Sequence, residues 1–441
     1  MRAVYPPTAV NALHLFLPCA AGVEDLLADE VRDILGAEGV QRVRGGVALT
    51  ASWRDAMRLN LHSRLAVRVL VQLAHGPYRS ERDLYDAAAA VAWEIWFTPA
   101  QTIKVEITAQ HSPLKSLNFA ALTIKDAVCD RFRERRGERP SVETRWPDVR
   151  IYTHLTAETV TLYIDTSGEP LFKRGWREDK GDAPLKETLA AAMISATGWD
   201  GAVPLYDPCC GSGTVVIEAA QRALRIAPGL GRRFGFEKLL PFQAHVWAAL
   251  RDEARAAERP HPAGSPPLAH GSDVSFRMVD FAQRNAERAG VAHAIELRGG
   301  DALQRLPPSA TPGVLLLNPP YGERIAAAGV AGQNAAERAR GREPGRAPRT
   351  FTVGARPDAG ARESAQTADG DDASAFFERL ATHWKSHYAG WTAWVLTPDL
   401  KLPGRMRFKE SRRVPLWNGP IECRLFRFDL VARAPRAPGA T

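Results

Sequence analysis

The sequence predicts an α/β protein: a doubly wound α/β sheet in its C-terminal part, preceded by smaller α+β units. Three observations predict it. From about Lys180 onward, apolar strand-like runs alternate with helical stretches. A glycine-rich turn, Asp207-Pro208-Cys209-Cys210-Gly211-Ser212-Gly213-Thr214, leads from one such run into a helix, and two later runs end in the acids Asp273 and Asp301. Alternation of this kind builds sheets covered by helices, and such sheets bind ligands outside the carboxyl ends of their strands.

The first segment, 1–67, opens on the alternating run His14-Leu15-Phe16-Leu17-Pro18. A helix is expected over Gly22 to Val31, with apolar residues at Val23, Leu26, Leu27 and Val31. Strands at Val40 to Val43 and Gly46 to Thr50 and a helix at Trp53 to Leu61 complete a small unit of ferredoxin-like type. The second segment, 68–175, reads as a strand at Val67 to Ala74, a helix at Ser80 to Ala92 and a strand at Thr102 to Ala109. A helix at Asn118 to Arg133 and strands at Arg150 to Thr156 and Thr159 to Asp165 follow. Its long helix ends in clustered charge from Asp130 to Arg136, either a solvated end favoured by the helix dipole or an edge that contacts phosphates.

The third segment, 180–435, begins with a strand at Val203 to Tyr206, the glycine turn and a helix at Thr214 to Leu224. After a Pro/Gly-rich connection come a strand at Pro267 to Gly271, Asp273, and a helix at Val274 to Ala289. The strand Ile295 to Arg298 ends at Gly299-Gly300-Asp301, and the strand Gly313 to Leu317 ends at Asn318. A helix at Ala375 to Tyr388 and strands at Thr392 to Thr397, Arg412 to Leu416 and Arg424 to Leu430 close the domain. Residues 324–374, rich in Ala, Gly, Arg and Pro, carry too few large apolar side chains to offset their ordering entropy, so a loosely held insertion is expected there.

With 441 residues, 45% of them hydrophobic and 24% charged, the chain can support two or three cores. Its net charge of +8 suits a polyanionic partner. Only ten of the 58 basic residues are Lys, and an Arg-dominated, Ala-rich composition also follows from base composition, so charge alone does not decide the partner. The five cysteines, Cys19, Cys129, Cys209, Cys210 and Cys423, form no C-x-x-C pair and have no histidines at zinc spacing, so neither a disulfide framework nor a metal site is expected. With no signal-type apolar run and no stretch long enough to span a bilayer, the expected location is soluble and cytoplasmic.

The glycine turn lets backbone approach a ligand where a side chain would block it. It lacks the G-x-G-x-x-G of dinucleotide sites and the Gly-Lys of phosphate loops, which favours a nucleoside ligand without phosphates, as S-adenosylmethionine is. Asp273 can accept both ribose hydroxyls and Asp301 an adenine amino hydrogen; each could instead cap the following helix. Asn318-Pro319-Pro320-Tyr321 follows the fully apolar run Val314-Leu315-Leu316-Leu317. Two prolines stiffen the loop, so the Asn318 side-chain oxygen and a prolyl carbonyl can converge on one exocyclic amine, with Tyr321 offering a stacking face. Glycine turn and Asn-Pro-Pro-Tyr together indicate methyl transfer from S-adenosylmethionine to an amino nitrogen of a planar base.

Several stretches resemble the THUMP-domain-containing RNA guanine-N2 methyltransferases. They are Asp182 to Ala190, Asp207 to Ala220, Asn318 to Arg324 and Asn418 to Cys423, with Asn118 to Val128, Asp165 to Gly168 and Lys173 to Arg177 upstream. The resemblance covers nearly the whole chain except the insertion and is strongest to the branch that makes N2-methylguanosine in bacterial 23S rRNA. It implies a ferredoxin-like plus THUMP module that holds RNA, before a Rossmann-like class I methyltransferase domain. Asp207, Cys209, Gly211, Ser212, Gly213 and Thr214 would then form the methionine-side cofactor loop. Asp273 would be the ribose acid, Asp301 the adenine contact, and Asn318, Pro319, Pro320 and Tyr321 the base site, Asn318 also bordering the cofactor. Cys209 stands where many class I enzymes place the first glycine of the loop. Some members carry a second, fused methyltransferase domain that makes 7-methylguanosine, and this sequence ends before one. A tRNA guanine-N2 methyltransferase shares the same modules, an N6-adenine DNA methyltransferase uses a similar Asn-Pro-Pro-Tyr loop, and an inactive RNA-binding protein with a methyltransferase fold is the reading from another class. The sequence leaves the modified nucleotide and the oligomeric state open.

Overall fold

The computed structural model describes residues 12–36, 38–181, 184–319 and 370–431, with side chains of 370–374 excepted. In chain order its first elements are β1 (Leu13–Pro18), α1 (Glu24–Leu35), β2 (Gln41–Val43), β3 (Gly46–Ala51), α2 (Trp53–His62), β4 (Leu70–Pro77) and α3 (Glu81–Ala90). Then come β5 (Ile103–Ala109), α4 (Leu117–Arg136), β6 (Val149–Leu155), β7 (Thr159–Asp165), α5 (Glu187–Thr197), β8 (Leu205–Asp207), α6 (Thr214–Ala223) and α7 (Ala244–Ala256). The remainder is β9 (Ala269–Asp273), α8 (Phe276–Arg288), β10 (Ile295–Gly299), β11 (Val314–Leu317), α9 (Gly370–His387), β12 (Thr392–Thr397), α10 (Leu402–Met406), β13 (Arg412–Asn418) and β14 (Ile421–Asp429). Residues 324–369 of the expected insertion lie outside the described residues, as do Pro320 and Tyr321; 370–374 open α9. Among the described residues no helix is long and apolar enough to cross a membrane.

Two compact units emerge: residues 1–175 with 225–258, and 176–224 with 259–441. In the first, Leu13, Leu15 and Leu17 of β1 point inward on alternate positions, and α1 adds Leu27, Ala28 and Val31 before Gly36 ends it at φ 61°. A capping box between Ser52 and Asp55 starts α2. The two segments expected on either side of residue 68 share one sheet, in the order β2-β3-β1-β4-β7-β6-β5. They join where β1 pairs antiparallel with β4 through Leu15↔Val71 and Phe16↔Leu70.

The stretch 225–258, which the sequence reading placed in the C-terminal domain, belongs to this first unit. Arg232 holds it there, donating to the carbonyls of Pro170 at 2.7 Å, Lys173 at 3.0 Å and Ser167 at 3.1 Å. Gly229 N–H donates to the Leu61 carbonyl at 2.9 Å, and a Cβ on Gly229 would lie 2.8 Å from that oxygen, so only glycine fits. Phe234 and Phe236 of the same stretch stack at 5.1 Å, and Trp247 meets them edge-on at 5.5 and 5.0 Å.

The second unit is a seven-stranded sheet in the order β10-β9-β8-β11-β12-β14-β13. The first five strands run parallel; β14 is antiparallel to β12 and to β13. Chain direction across the sheet reverses between β8 and β11, which makes their carboxyl ends the switch point where open α/β sheets bind ligands. The core on one side gathers Leu315 and Leu317 with Phe377, Leu380 and Trp384 of α9 and Tyr388 just past its end.

Candidate active site

Four chain segments end side by side at the carboxyl edge of the second sheet: Asp207 closing β8, Asp273 closing β9, Asp301 just after β10 and Asn318 after β11. Parallel pairing steps them along that edge: Asp207 is in register with Gly271, two residues before Asp273, and Asp273 with Gly299, two residues before Asp301. The glycine turn is shaped by positive φ at Gly211 (51°) and Gly213 (87°). A Cβ on Gly213 would lie 3.0 Å from the Ala282 Cβ of α8, so this glycine permits close packing of α6 and α8. One on Gly211 would meet no atom within 4 Å among the described residues beyond its chain neighbours, so Gly211 borders space that those residues leave open.

Asp273 ties the turn to β9. Its Oδ2 accepts the Gly211 N–H at 2.9 Å and its Oδ1 the Ser275 N–H at 2.9 Å, and Ser275 rather than Asp273 is the N-cap of α8. Each carboxylate oxygen keeps a further lone pair for a ligand hydroxyl. Asp301 closes a local turn by accepting the Leu303 N–H at 2.9 Å, so the helix-start reading weighed for these acids is partly realised in both as an Asx turn. Asp207 is buried and accepts the Cys209 N–H at 3.0 Å. Burial, with the Asp273 carboxylate nearby, pushes its carboxyl up to about 8. Burial and then the charges of Asp207, Asp273 and Asp301 push the Cys209 thiol well above its ordinary value, so Cys209 lines the cluster as an uncharged side chain. A cluster of three acids around an open space matches a ligand carrying positive charge and hydroxyls, as the sulfonium, ammonium and ribose of S-adenosylmethionine do, and offers nothing to a phosphate.

Two residues that sequence reasoning passed over support the turn. Arg177, its side chain only 11% exposed, donates to Ser212 Oγ at 3.1 Å and Thr214 Oγ1 at 2.8 Å while pairing with buried Glu187 at 2.7 Å. Ser212 and Thr214 therefore meet the protein through their hydroxyls. Asn285, fully buried on α8, donates to the carbonyls of Ser212 at 3.1 Å and Asp179 at 2.8 Å. The only hint of Arg177 in the sequence was its place in the Lys173–Arg177 stretch. Nothing in the pattern marked Asn285.

At the edge of β11 the Asn318 Oδ1 is shut off from solvent and has no hydrogen-bond partner among the described residues. An orphaned buried acceptor costs about 1–3 kcal/mol, which a ligand N–H would recover. Pro319 is buried beside it; Pro320 and Tyr321 lie outside the described residues.

Three family models match in succession: the RlmL ferredoxin-like domain over 14–70, the THUMP domain over 78–165, and the RMKL-like methyltransferase domain over 174–334. Proteins described as ribosomal RNA large subunit methyltransferase K/L are similar along nearly the whole chain. The one from Psychromonas ingrahamii is 34% identical over 96% of this chain and 51% of its own length, and the one from Syntrophotalea carbinolica 36% over 97% and 56%. The chain thus spans about half the length of the curated relatives it matches. A crystal structure from Listeria monocytogenes, described as a predicted N6-adenine-specific DNA methylase, superposes with a TM-score of 0.76 at 26% identity, covering 95% of this chain and 96% of that one. The strand order and the ordered domain matches agree: the chain carries in succession an RlmL-type ferredoxin-like domain, a THUMP domain and an RMKL-like methyltransferase domain.

Proposed function

We propose that the protein is an S-adenosylmethionine-dependent RNA methyltransferase acting on the exocyclic N2 amine of a guanine in 23S rRNA, in the cytoplasm. The observation that carries the reading is the buried Asn318 Oδ1, without a hydrogen-bond partner among the described residues, at the switch point of a methyltransferase-type sheet. Asp207 and the Cys209–Thr214 turn would hold the methionine end of the cofactor, Asp273 the ribose hydroxyls and Asp301 the adenine. When bound, the cofactor supplies an electrophilic methyl group on a sulfonium.

The chain's own residues do the rest. A base amine is a weak nucleophile because its lone pair is delocalised into the ring. Asn318 Oδ1 and the Pro319 carbonyl each accept one of its hydrogens, which favours a pyramidal nitrogen and aims the lone pair away from the ring. After methylation the nitrogen carries the positive charge and loses a proton to water, so no strong general base is required. Tyr321 would stack on the base once it is turned out of its helix.

The THUMP match and the descriptions of the K/L relatives support RNA as the substrate; the description of the Listeria protein favours DNA adenine as the second reading. Incubation with methyl-labelled S-adenosylmethionine and, separately, unmodified 23S rRNA, tRNA and duplex DNA, followed by nucleoside analysis, decides between them. Label in N2-methylguanosine from 23S rRNA is expected. Label from tRNA alone would move the target, and N6-methyladenine in DNA would overturn the assignment.

A further inference from the structure

We infer that the segment Asp399–Arg413 is a preformed ledge that grips the phosphate backbone of the RNA beside the target nucleotide; this rests on the RNA reading above. The segment leaves the carboxyl end of β12, the parallel neighbour of β11, with Leu317 in register with Val395. It therefore begins at the level of Asn318, on the edge of the sheet that presents the candidate base site.

The ledge is rigid underneath and charged on top. Leu402 and Met406 of α10 are 0% and 1% exposed in the core below. Phe408 lies 5.5 Å from the Phe428 ring, and the Lys385 ammonium sits over the Phe408 ring at 4.5 Å while donating to the Arg407 carbonyl at 3.2 Å. Arg407 itself takes a left-handed backbone (φ 51°) that ends α10. Six Lys/Arg stand here against two acids, a net +4 that is half the +8 of the whole sequence. The acids are engaged: Asp399 pairs with Arg405 at 3.2 Å and Glu410 with Arg413 at 2.6 Å. Lys401, Arg407 and Lys409 are exposed and have no ion-pair partner among the described residues.

Unpaired cations held on a packed scaffold fit a polyanion. The backbone that carries them is already ordered, so only the side chains are immobilised on binding, and each phosphate met releases counterions. Phosphate contacts position a substrate without reading its sequence, which is what a site that turns one base out of a larger RNA requires from its surroundings.

The test is the triple variant Lys401→Gln/Arg407→Gln/Lys409→Gln of the full chain, assayed for methyl transfer to RNA across a salt series. The KM for RNA should rise about tenfold or more at moderate salt, and the slope of log KM against log salt should fall by about 2–3, near one per lost contact. Turnover at saturating RNA and the calorimetric Kd for S-adenosylmethionine should stay at wild-type values, showing that the variant is folded. An active variant with wild-type KM and salt slope would overturn the ledge while leaving the RNA reading intact. Failure of wild type to methylate any RNA would instead remove that reading, and the ledge with it.

Discussion

Cofactor binding should be linked to a proton on Asp207. Among the described residues this carboxyl accepts one N–H, from Cys209 at 3.0 Å, and burial and the Asp273 charge hold it at about 8. At pH 7 about nine-tenths of it would be protonated. A cationic ligand placed beside it favours the carboxylate by about 1–3 units, so binding expels the proton. Affinity should therefore rise roughly tenfold per unit between about pH 6 and pH 8 and level off above.

The stability of the fold itself runs the other way, falling as pH rises. A folded-state value raised above the unfolded one, about 3.9 for Asp, gives stability that is fully present below that value and is lost as pH rises through about 8. The increase in melting temperature caused by cofactor should then be larger at pH 8 than at pH 6. Isothermal titration at pH 7 in buffers of different ionisation enthalpy, corrected for the ligand's own amine, should show close to one proton released. No release, or the same release from Asp207→Asn, would refute the reasoning.

Arg177→Met would strand Glu187, whose carboxyl burial already pushes up, at a cost of about 3–5 kcal/mol, and would weaken cofactor binding by freeing the turn. Arg177→Met/Glu187→Leu should be less destabilised than Arg177→Met alone in calorimetric melting; strict additivity would contradict the pairing. Gly213→Ala should cost about 1–2 kcal/mol for its left-handed φ, plus repacking against Ala282. Gly211→Ala bears the φ cost alone yet should abolish cofactor binding, because its Cβ enters the open space; titration and melting of the two variants separate these effects.

Much of the fold was legible because its elements obey simple periods. β7 and β12 coincide with the runs read from sequence, each a strand-type apolar stretch ended by a turn. α5 was not read as a helix. Thr188 through Ile194 are all buried, so it shows no amphipathic period to detect. α7 was hidden in a Pro/Gly-rich stretch, and its place in the first unit depends on Arg232 reaching backbone carbonyls about 60 residues away, which leave no side-chain pattern. The strand-end acids and Asn318 could be found because they stand at the ends of apolar runs. Arg177 and Asn285 reach the turn from 35 and 73 residues away, a relation only the folded chain displays.

The measurement closest to the central claim is single-turnover methylation of 23S rRNA by Asn318→Ala, with the Kd for S-adenosylmethionine determined on the same preparation. Loss of an acceptor aimed at the reacting amine should slow the methyl-transfer step by about 100-fold or more and leave Kd within a few-fold of wild type. Equal loss of rate and cofactor affinity, or an unchanged rate, would contradict the assignment of the buried Asn318 oxygen to the base amine.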